Sequence, residues 1–254
     1  MSKVYFASDF HLGVPAKLPS REREKLIVRW LDEVSRDATE IYLVGDVFDF
    51  WFEYSTVVPK GYTRLLGKLA ELTDGGIPVY FFIGNHDMWM FKYFEEELGI
   101  PTYREPIIRE IQGKKMMIGH GDGLGPGDNG YKFIKKVFAN PVCQWLFARL
   151  HPNLGIGIAN YWSAKSRYAN VEPDRFVSEE NEWLVQFAKD TLKENHFDYF
   201  VFGHRHLPIS FNLPGGSKYI NLGDWLTHQS YGIMENGDLQ LAFYENEHGK
   251  IYRN

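Results

Sequence analysis

A chain of 254 residues with 44% hydrophobic content can fill one large α/β core or two small ones, which excludes disorder as the default. A formal net charge of -5 and a sequence pI near 6.0 argue against a general nucleic-acid binder, which carries a basic balance. The single cysteine, Cys143, excludes an internal disulfide and fits a reducing compartment.

In chain order, Val4 to Ala7 is the first apolar run that reads as a buried strand, and it leads straight into Asp9-Phe10-His11. So early a motif leaves no room for a cleavable signal, and a cytoplasmic location is expected. No apolar run approaches the ~18 to 20 residues of a membrane-crossing helix, so any membrane contact is expected to be peripheral. Ser20, followed by Glu22, Glu24, Leu26, Ile27, Trp30, Leu31 and Val34, predicts an amphipathic helix with Ser20 as its N-cap. The strand Ile41 to Val44 runs into Gly45-Asp46, and Tyr62 to Leu72 repeats the helical pattern. Val79 to Ile83 delivers Gly84-Asn85-His86-Asp87, and Lys115 to Ile118 delivers Gly119-His120-Gly121-Asp122.

Between Asn129 and Val171 the chain holds Lys132, Lys135, Lys136, Arg149, Lys165 and Arg167 but no Asp or Glu, which leaves 22 basic against 33 acidic residues elsewhere. Ile134, Val137, Phe138, Val142, Trp145, Leu146 and Leu150 recur there at helical spacing, with a break at Pro141. A cationic helical insertion, about residues 129–171, is expected within one domain spanning 1–254. Asn181 to Leu192 again reads as helix, and Tyr199 to Phe202 ends in Gly203-His204-Arg205-His206. From about Phe197 short strands follow one another, Tyr219 to Asn221 among them, with Pro214-Gly215-Gly216 and Glu235 to Asp238 as turns. They predict a second, more antiparallel sheet. Alternating strands and helices before it imply a largely parallel sheet, with ligands outside the carboxyl ends of its strands.

Each of these strand ends presents groups that bind metal. Asp9 and His11, and likewise His204 and His206, are one residue apart, so on an extended strand end both side chains of a pair face one way. Asp46 can bridge two cations through its two oxygens, Asn85 offers a neutral carbonyl oxygen and His120 an imidazole. This O and N donor set suits Mn, Fe or Zn better than Ca or an all-oxygen Mg site, and without thiolates a structural zinc is disfavoured. Any one motif alone is usually a turn or a satisfied histidine. Five together, each after an apolar strand, argue for a shared metal centre.

In order and chemistry the motifs Asp9-x-His11, Gly45-Asp46-x-x-Asp49, Gly84-Asn85-His86-Asp87, Gly119-His120 and Gly203-His204-x-His206 resemble those of the calcineurin-like metallophosphoesterase superfamily. The resemblance implies a four-layer αββα sandwich with a helical cap, and two divalent metal ions. It puts Asp9, His11 and His206 on one ion, Asn85, His120 and His204 on the other, and Asp46 between them. Such ions activate water for in-line attack at phosphorus. His86 would then serve the leaving oxygen or the transition-state charge, with Asp87 orienting it. Asp49 and Asp122 are expected beside the ions, on the substrate side, or in loop hydrogen bonds.

The insertion narrows the substrate class. Its positive charges attract phosphate, while Tyr131, Phe133, Phe138, Trp145, Phe147, Tyr161, Trp162 and Tyr168 supply aromatic surface, a combination suited to an anionic amphiphile. The plainer reading is a cap whose apolar stripe packs on the sandwich. Gly45-Asp46-Val47-Phe48-Asp49-Phe50-Trp51 and His120-Gly121-Asp122-Gly123-Leu124, followed by Asp128 and Tyr131, are more closely similar to the UDP-2,3-diacylglucosamine diphosphatase family of lipid A synthesis, in its Bacteroidetes form. That resemblance implies water attack at the α-phosphorus, giving UMP and 2,3-diacylglucosamine 1-phosphate, with manganese as the metal. It also implies work at the cytoplasmic face of the inner membrane on a UDP-linked diacyl glucosamine lipid, with no nucleic acid as partner. Asn85, His86, Asp128 and Tyr131, with Ser163, Lys165 and Arg167 from the insertion, are the implied substrate contacts. His86 departs from the Arg of many proteobacterial members. The alternatives are a nucleotide or nucleic-acid phosphodiesterase with the same metals, which needs a basic track with stacking aromatics, and a non-enzymatic scaffold, which would lack ligands.

Overall fold

A computed structural model of the protein describes residues 2–125, 129–169, 176 and 178–254, with the backbone alone at 129–131, 160 and 162–169. Strands β1 (Lys3–Ala7), β2 (Ala38–Val44), β3 (Val79–Phe82) and β4 (Thr102–Tyr103) alternate with helices α1 (Ser20–Val34), α2 (Thr63–Asp74) and α3 (Tyr93–Leu98). A hairpin of β5 (Ile107–Ile111) and β6 (Lys114–Gly119) precedes three helices, α4 (Asn129–Ala139), α5 (Pro141–Phe147) and α6 (Pro152–Ala169). Helix α7 (Trp183–Leu192) and strands β7 (Tyr199–Phe202), β8 (Pro208–Asn212), β9 (Lys218–Leu222), β10 (Ser230–Glu235), β11 (Asp238–Phe243) and β12 (Tyr252–Arg253) follow.

Two six-stranded sheets result, ordered β11-β10-β1-β2-β3-β4 and β12-β8-β9-β7-β6-β5. Their inner faces share one apolar core, in which Val4, Phe6, Tyr42, Val44 and Phe82 meet Met116, Ile118, Val201, Ile220 and Leu222. The outer face of the first sheet packs Tyr5, Ala7, Ile41 and Leu43 against Leu26, Ile27, Trp30 and Leu31 of α1 and Leu65, Leu69 and Leu72 of α2. Leu184, Val185 and Ala188 of α7 cover Phe200 and Phe202 on the outer face of the second. Helix, sheet, sheet and helix therefore stack in four layers. Each large apolar side chain buried in them contributes roughly 1.5–3 kcal/mol.

Strands β1, β2, β3, β6, β7 and β9 lie where the apolar runs place them, because strands buried on both faces carry no polar alternation, whereas the two-residue strands β4 and β12, also parallel to their neighbours, carry no such run. Two local expectations are corrected. The turn at Asn236-Gly237, where both residues take positive φ, closes a hairpin as expected, but β10 and β11 join the first sheet, with β10 antiparallel to β1. The second sheet is completed instead by β5 and β6, and it is mixed, with β6, β7 and β9 parallel. Ser20 does not cap α1: Pro19 occupies that position, and the Ser20 hydroxyl accepts a hydrogen bond from Gly13 N–H at 2.8 Å.

The insertion breaks where Pro141 predicts. Asn140 caps α5 by accepting from the Val142 and Cys143 N–H groups, and Pro141 sits in its first turn. Phe138 and Phe147 dock the insertion on Phe50, Phe52 and Trp89, and Trp89 Nε1–H donates to the Phe138 carbonyl at 2.8 Å. Most of the helical stripe does not pack on the sandwich. Val142 is 64% exposed and Trp145 and Leu146 are each 56% exposed, against the plainer reading of the cap.

Candidate metal centre and active site

The ends of β1, β2, β3, β6 and β7 converge, and backbone bonds lock the first two loops together. Asp9 N–H donates to the Gly45 carbonyl at 3.0 Å, His11 N–H to Asp46 at 2.9 Å and Leu12 N–H to Val47 at 3.0 Å. Asp9, His11, Asp46, His204 and His206 all take positive φ, between 44° and 69°. For residues other than glycine this left-handed conformation costs roughly 1–2 kcal/mol each, and it concentrates where surroundings over-determine it. The approach is close enough that a Cβ at Gly84 would collide with Asp46 Oδ1, and one at Gly203 would lie 2.6 Å from Asp9 Oδ2. Glycine beside the ligating residue is thus a packing requirement.

All seven residues expected to bind metal are brought together. Asp9, His11, Asp46 and His206 each have a donor atom within 4.8 Å of the others, as do Asp46, His120 and His204, so that Asp46 belongs to both groups. His11 Nε2 lies 3.0 Å from His206 Nε2, and His120 Nε2 lies 3.3 Å from Asp46 Oδ2 and 3.2 Å from Asn85 Oδ1. The Val44 carbonyl accepts from His120 Nδ1–H at 2.9 Å, which turns Nε2 toward the cluster. Asp9 Oδ1 is fully buried and has no hydrogen-bond partner among the described residues, yet it faces His206 Nε2 at 3.2 Å. Converging imidazole nitrogens and an orphaned carboxylate oxygen are the donor set that a divalent cation satisfies, so these residues fit two such ions.

The electrostatics are those of a buried charge cluster. Burial alone would raise the Asp46 carboxyl, but His120, His86 and His11 hold it well below the usual carboxylate range. Burial depresses His120, and the adjacent Asp46 more than reverses that, lifting it to about 10. Burial followed by the charge of His120 lowers His204 to about 4. His86 is opposed by burial but lifted to about 9 by Asp46 and Asp49.

The carboxylate facing His86 is not the expected one. His86 Nδ1 lies 3.2 Å from Asp49 Oδ1 and 3.0 Å from the Asp49 carbonyl. Asp87 points into the protein, where Oδ1 accepts from Gly84 N–H at 2.7 Å and Oδ2 from Val47 N–H at 2.9 Å. Burial, then the charge of Asp46, raises Asp87 to about 7. Asp122 takes an ion pair from Lys135 of α4 at 2.6 Å, so the insertion abuts the cluster. A small cavity lined by His120, Asp122, Lys135, Arg104 and Tyr103 lies at this junction.

Residues 2–208 match the calcineurin-like phosphoesterase family model. The chain belongs to that family. This phosphoesterase is 37% identical over 258 residues to the UDP-2,3-diacylglucosamine hydrolase of Porphyromonas gingivalis, covering 96% of this chain and 98% of that protein. It is 30% identical to the protein of the same name from Edwardsiella ictaluri, covering 89% of this chain and 85% of that one. Among solved structures, a phosphoesterase from E. coli aligns with 17% identity and a TM-score of 0.48, over 96% of this chain and 93% of that one.

Of the expected substrate contacts, Asn85 and His86 stand at the metal centre of the phosphoesterase. Asp128 and the side chains of Tyr131, Ser163, Lys165 and Arg167 lie outside the described residues. Sequence reasoning missed Arg23, Asn221 and Asp224, all buried. Asn221 Nδ2–H donates to the Gly203 carbonyl ahead of His204, and Asp224 accepts from the Thr227 and His228 N–H groups beside Trp225, whose own N–H meets the Asp9 carbonyl at 3.1 Å. The available signal for Arg23 was a charged residue within the apolar face of an otherwise regular amphipathic helix.

Proposed function

We propose that this phosphoesterase cleaves the pyrophosphate of UDP-2,3-diacylglucosamine at the α-phosphorus, giving UMP and 2,3-diacylglucosamine 1-phosphate. It does so with two Mn2+ ions, at the cytoplasmic face of the inner membrane and as a peripheral protein. The observation that carries the reading is the junction of two features: a cluster of buried metal donors, and beside it an insertion with exposed aromatic and aliphatic side chains, tied on by the Lys135–Asp122 pair. The relatives named for the same lipid substrate support it along nearly their whole length. Among the described residues no helix is long and apolar enough to cross a membrane. The phosphodiesterase alternative draws no support from those relatives.

Asp9, His11 and His206 would hold one ion and Asn85, His120 and His204 the other, with Asp46 shared. When bound, such ions supply Lewis acidity toward water and phosphoryl oxygens. Asp49 fixes the His86 ring through Nδ1, leaving Nε2 to donate a hydrogen bond to the phosphoryl group or the departing phosphate oxygen. Asp87 holds the Gly84 and Val47 amides and so the loop that carries Asn85 and His86. The exposed side chains of α4 and α5 would receive the acyl chains, with Asp128, Tyr131, Ser163, Lys165 and Arg167 near the sugar phosphate.

The test is UMP release by chelator-stripped protein after Mn2+ is restored. Turnover is expected with UDP-2,3-diacylglucosamine and not with UDP-N-acetylglucosamine, which lacks the paired long acyl chains. Equal turnover of the two would remove the lipid substrate from the reading.

A further inference from the structure

Arg23 is completely buried on α1, on the face that packs Ile27, Trp30 and Leu31 against the first sheet. Its guanidinium is spent on carbonyl oxygens of one loop, the segment from β1 into α1. Nε–H donates to Phe10 at 2.9 Å and Nη1–H to Leu18 at 2.8 Å, while Nη2–H groups donate to His11 at 2.6 Å and Val14 at 3.1 Å. Four of the five N–H groups of the side chain are therefore committed to this loop.

Two of those carbonyls matter most. The Phe10 and His11 carbonyls belong to the peptide planes on either side of His11, so holding both fixes φ and ψ of His11 together. His11 has φ of 44°, a conformation a non-glycine residue does not keep without support. A desolvated cation is also a costly way to fill a helix face that an apolar side chain would fill better. Its placement is explained by what the loop presents: Asp9 and His11, whose donor atoms meet Asp46 and His206. Lysine cannot substitute, because three donors on one nitrogen do not span four divergent carbonyls.

We infer that Arg23 is a positioning residue for the cation site formed by Asp9, His11, Asp46 and His206, fixing the backbone of His11 so that its imidazole is delivered before any cation arrives. The inference rests on the two-ion reading given above. It deepens that reading by making the two ions unequal in what they depend on.

The experiment titrates Mn2+ into chelator-stripped wild type, Arg23→Lys and Lys68→Met, following free Mn2+ by electron paramagnetic resonance and folding by thermal denaturation. Lys68 is a buried cation paired with Asp32 and Glu71 between α1 and α2, and so controls for general loss of stability. Wild type should bind two ions. Arg23→Lys should keep one at wild-type affinity and hold the other at least roughly tenfold more weakly, the effect of losing a partner that orients a metal ligand. Lys68→Met should melt earlier and still bind both normally. The assignment is overturned if Arg23→Lys binds both ions like wild type, or if Lys68→Met weakens the same ion equally.

Hydrogen exchange on the wild-type chain tests the same point should Arg23→Lys not fold. The His11 and Leu12 amides, which donate to Asp46 and Val47, should be protected before Mn2+ is added. Exchange at unprotected rates until Mn2+ arrives would overturn the assignment. Absence of Mn2+ binding by wild type would instead bring down the two-ion reading itself.

Discussion

Asp87 and Asp49 show how residue roles are assigned by geometry after chemistry has nominated them. Adjacency made Asp87 the natural partner for His86, yet consecutive side chains in this loop diverge. Asp87 turns inward to collect backbone N–H groups, and Asp49, from the neighbouring loop, meets the imidazole. His86→Ala should therefore keep both ions and lose kcat by roughly 10²- to 10⁴-fold, the range for a lost proton-donating group. Asp49→Asn should lose less, because it loosens the ring without removing it. Metal analysis beside steady-state kinetics checks both; loss of an ion in His86→Ala would make His86 a ligand. The convergence of Asp9, His11, Asp46, Asn85, His120, His204 and His206 was legible because each follows an apolar strand within a short motif. Arg23 was marked only by its place on the apolar face of its helix, which does not say what it binds until the loop folded over it is known.

At the scale of elements, the strands of the parallel core could be read from apolar runs, whereas the destination of the β10–β11 hairpin could not. A turn signal fixes that two strands pair, but an edge strand carries no mark of which sheet receives it. Helix ends were similarly hidden. Tyr62 precedes α2 in a left-handed conformation and supplies no side-chain cap. That work is done by Glu24 of α1, whose Oε1 accepts from the Arg64 and Leu65 N–H groups at 2.8 and 3.2 Å. Within its own helix Glu24 reads as an ordinary acid one turn in from the N-terminus, and only tertiary contact gives it a second helix to cap. Glu24→Ala should cost about 1–2 kcal/mol in urea denaturation, as loss of a cap does, and Glu24→Gln less, because it retains an oxygen. Neither should alter kcat, since α2 supplies no group to the metal centre. A fall in kcat without a fall in stability would contradict the capping role.

Over the whole molecule, charge and apolar surface are distributed unequally, and the folded arrangement modifies what the sequence alone implied. Of the cations in the insertion, Lys135 is bound to Asp122 and Lys132 to the Gly125 carbonyl, and Arg149 lies over the Trp145 ring. The pair with Asp122 therefore offsets one of these charges, while Lys132 and Arg149 keep theirs. The apolar surface is larger, because Phe133, Val142, Trp145 and Leu146 lie open on α4 and α5. Exposed apolar side chains on adjacent helices mark a contact surface, and the proposed peripheral placement of the protein would bury this apolar area in the bilayer interface. Placing Trp145 and Leu146 in a bilayer is worth roughly 1.5–3 kcal/mol each, so the double variant Trp145→Glu with Leu146→Glu should raise the apparent KM for vesicle-borne UDP-2,3-diacylglucosamine by roughly tenfold or more. Hydrolysis of a small soluble phosphodiester should be unchanged, because both side chains are more than half exposed on α5 and neither belongs to the cluster that could hold metal among the described residues. Flotation with vesicles measures the loss of binding directly. A matching fall on both substrates would assign these residues to the support of the active site, and an unchanged KM on vesicles would remove the bilayer as their partner.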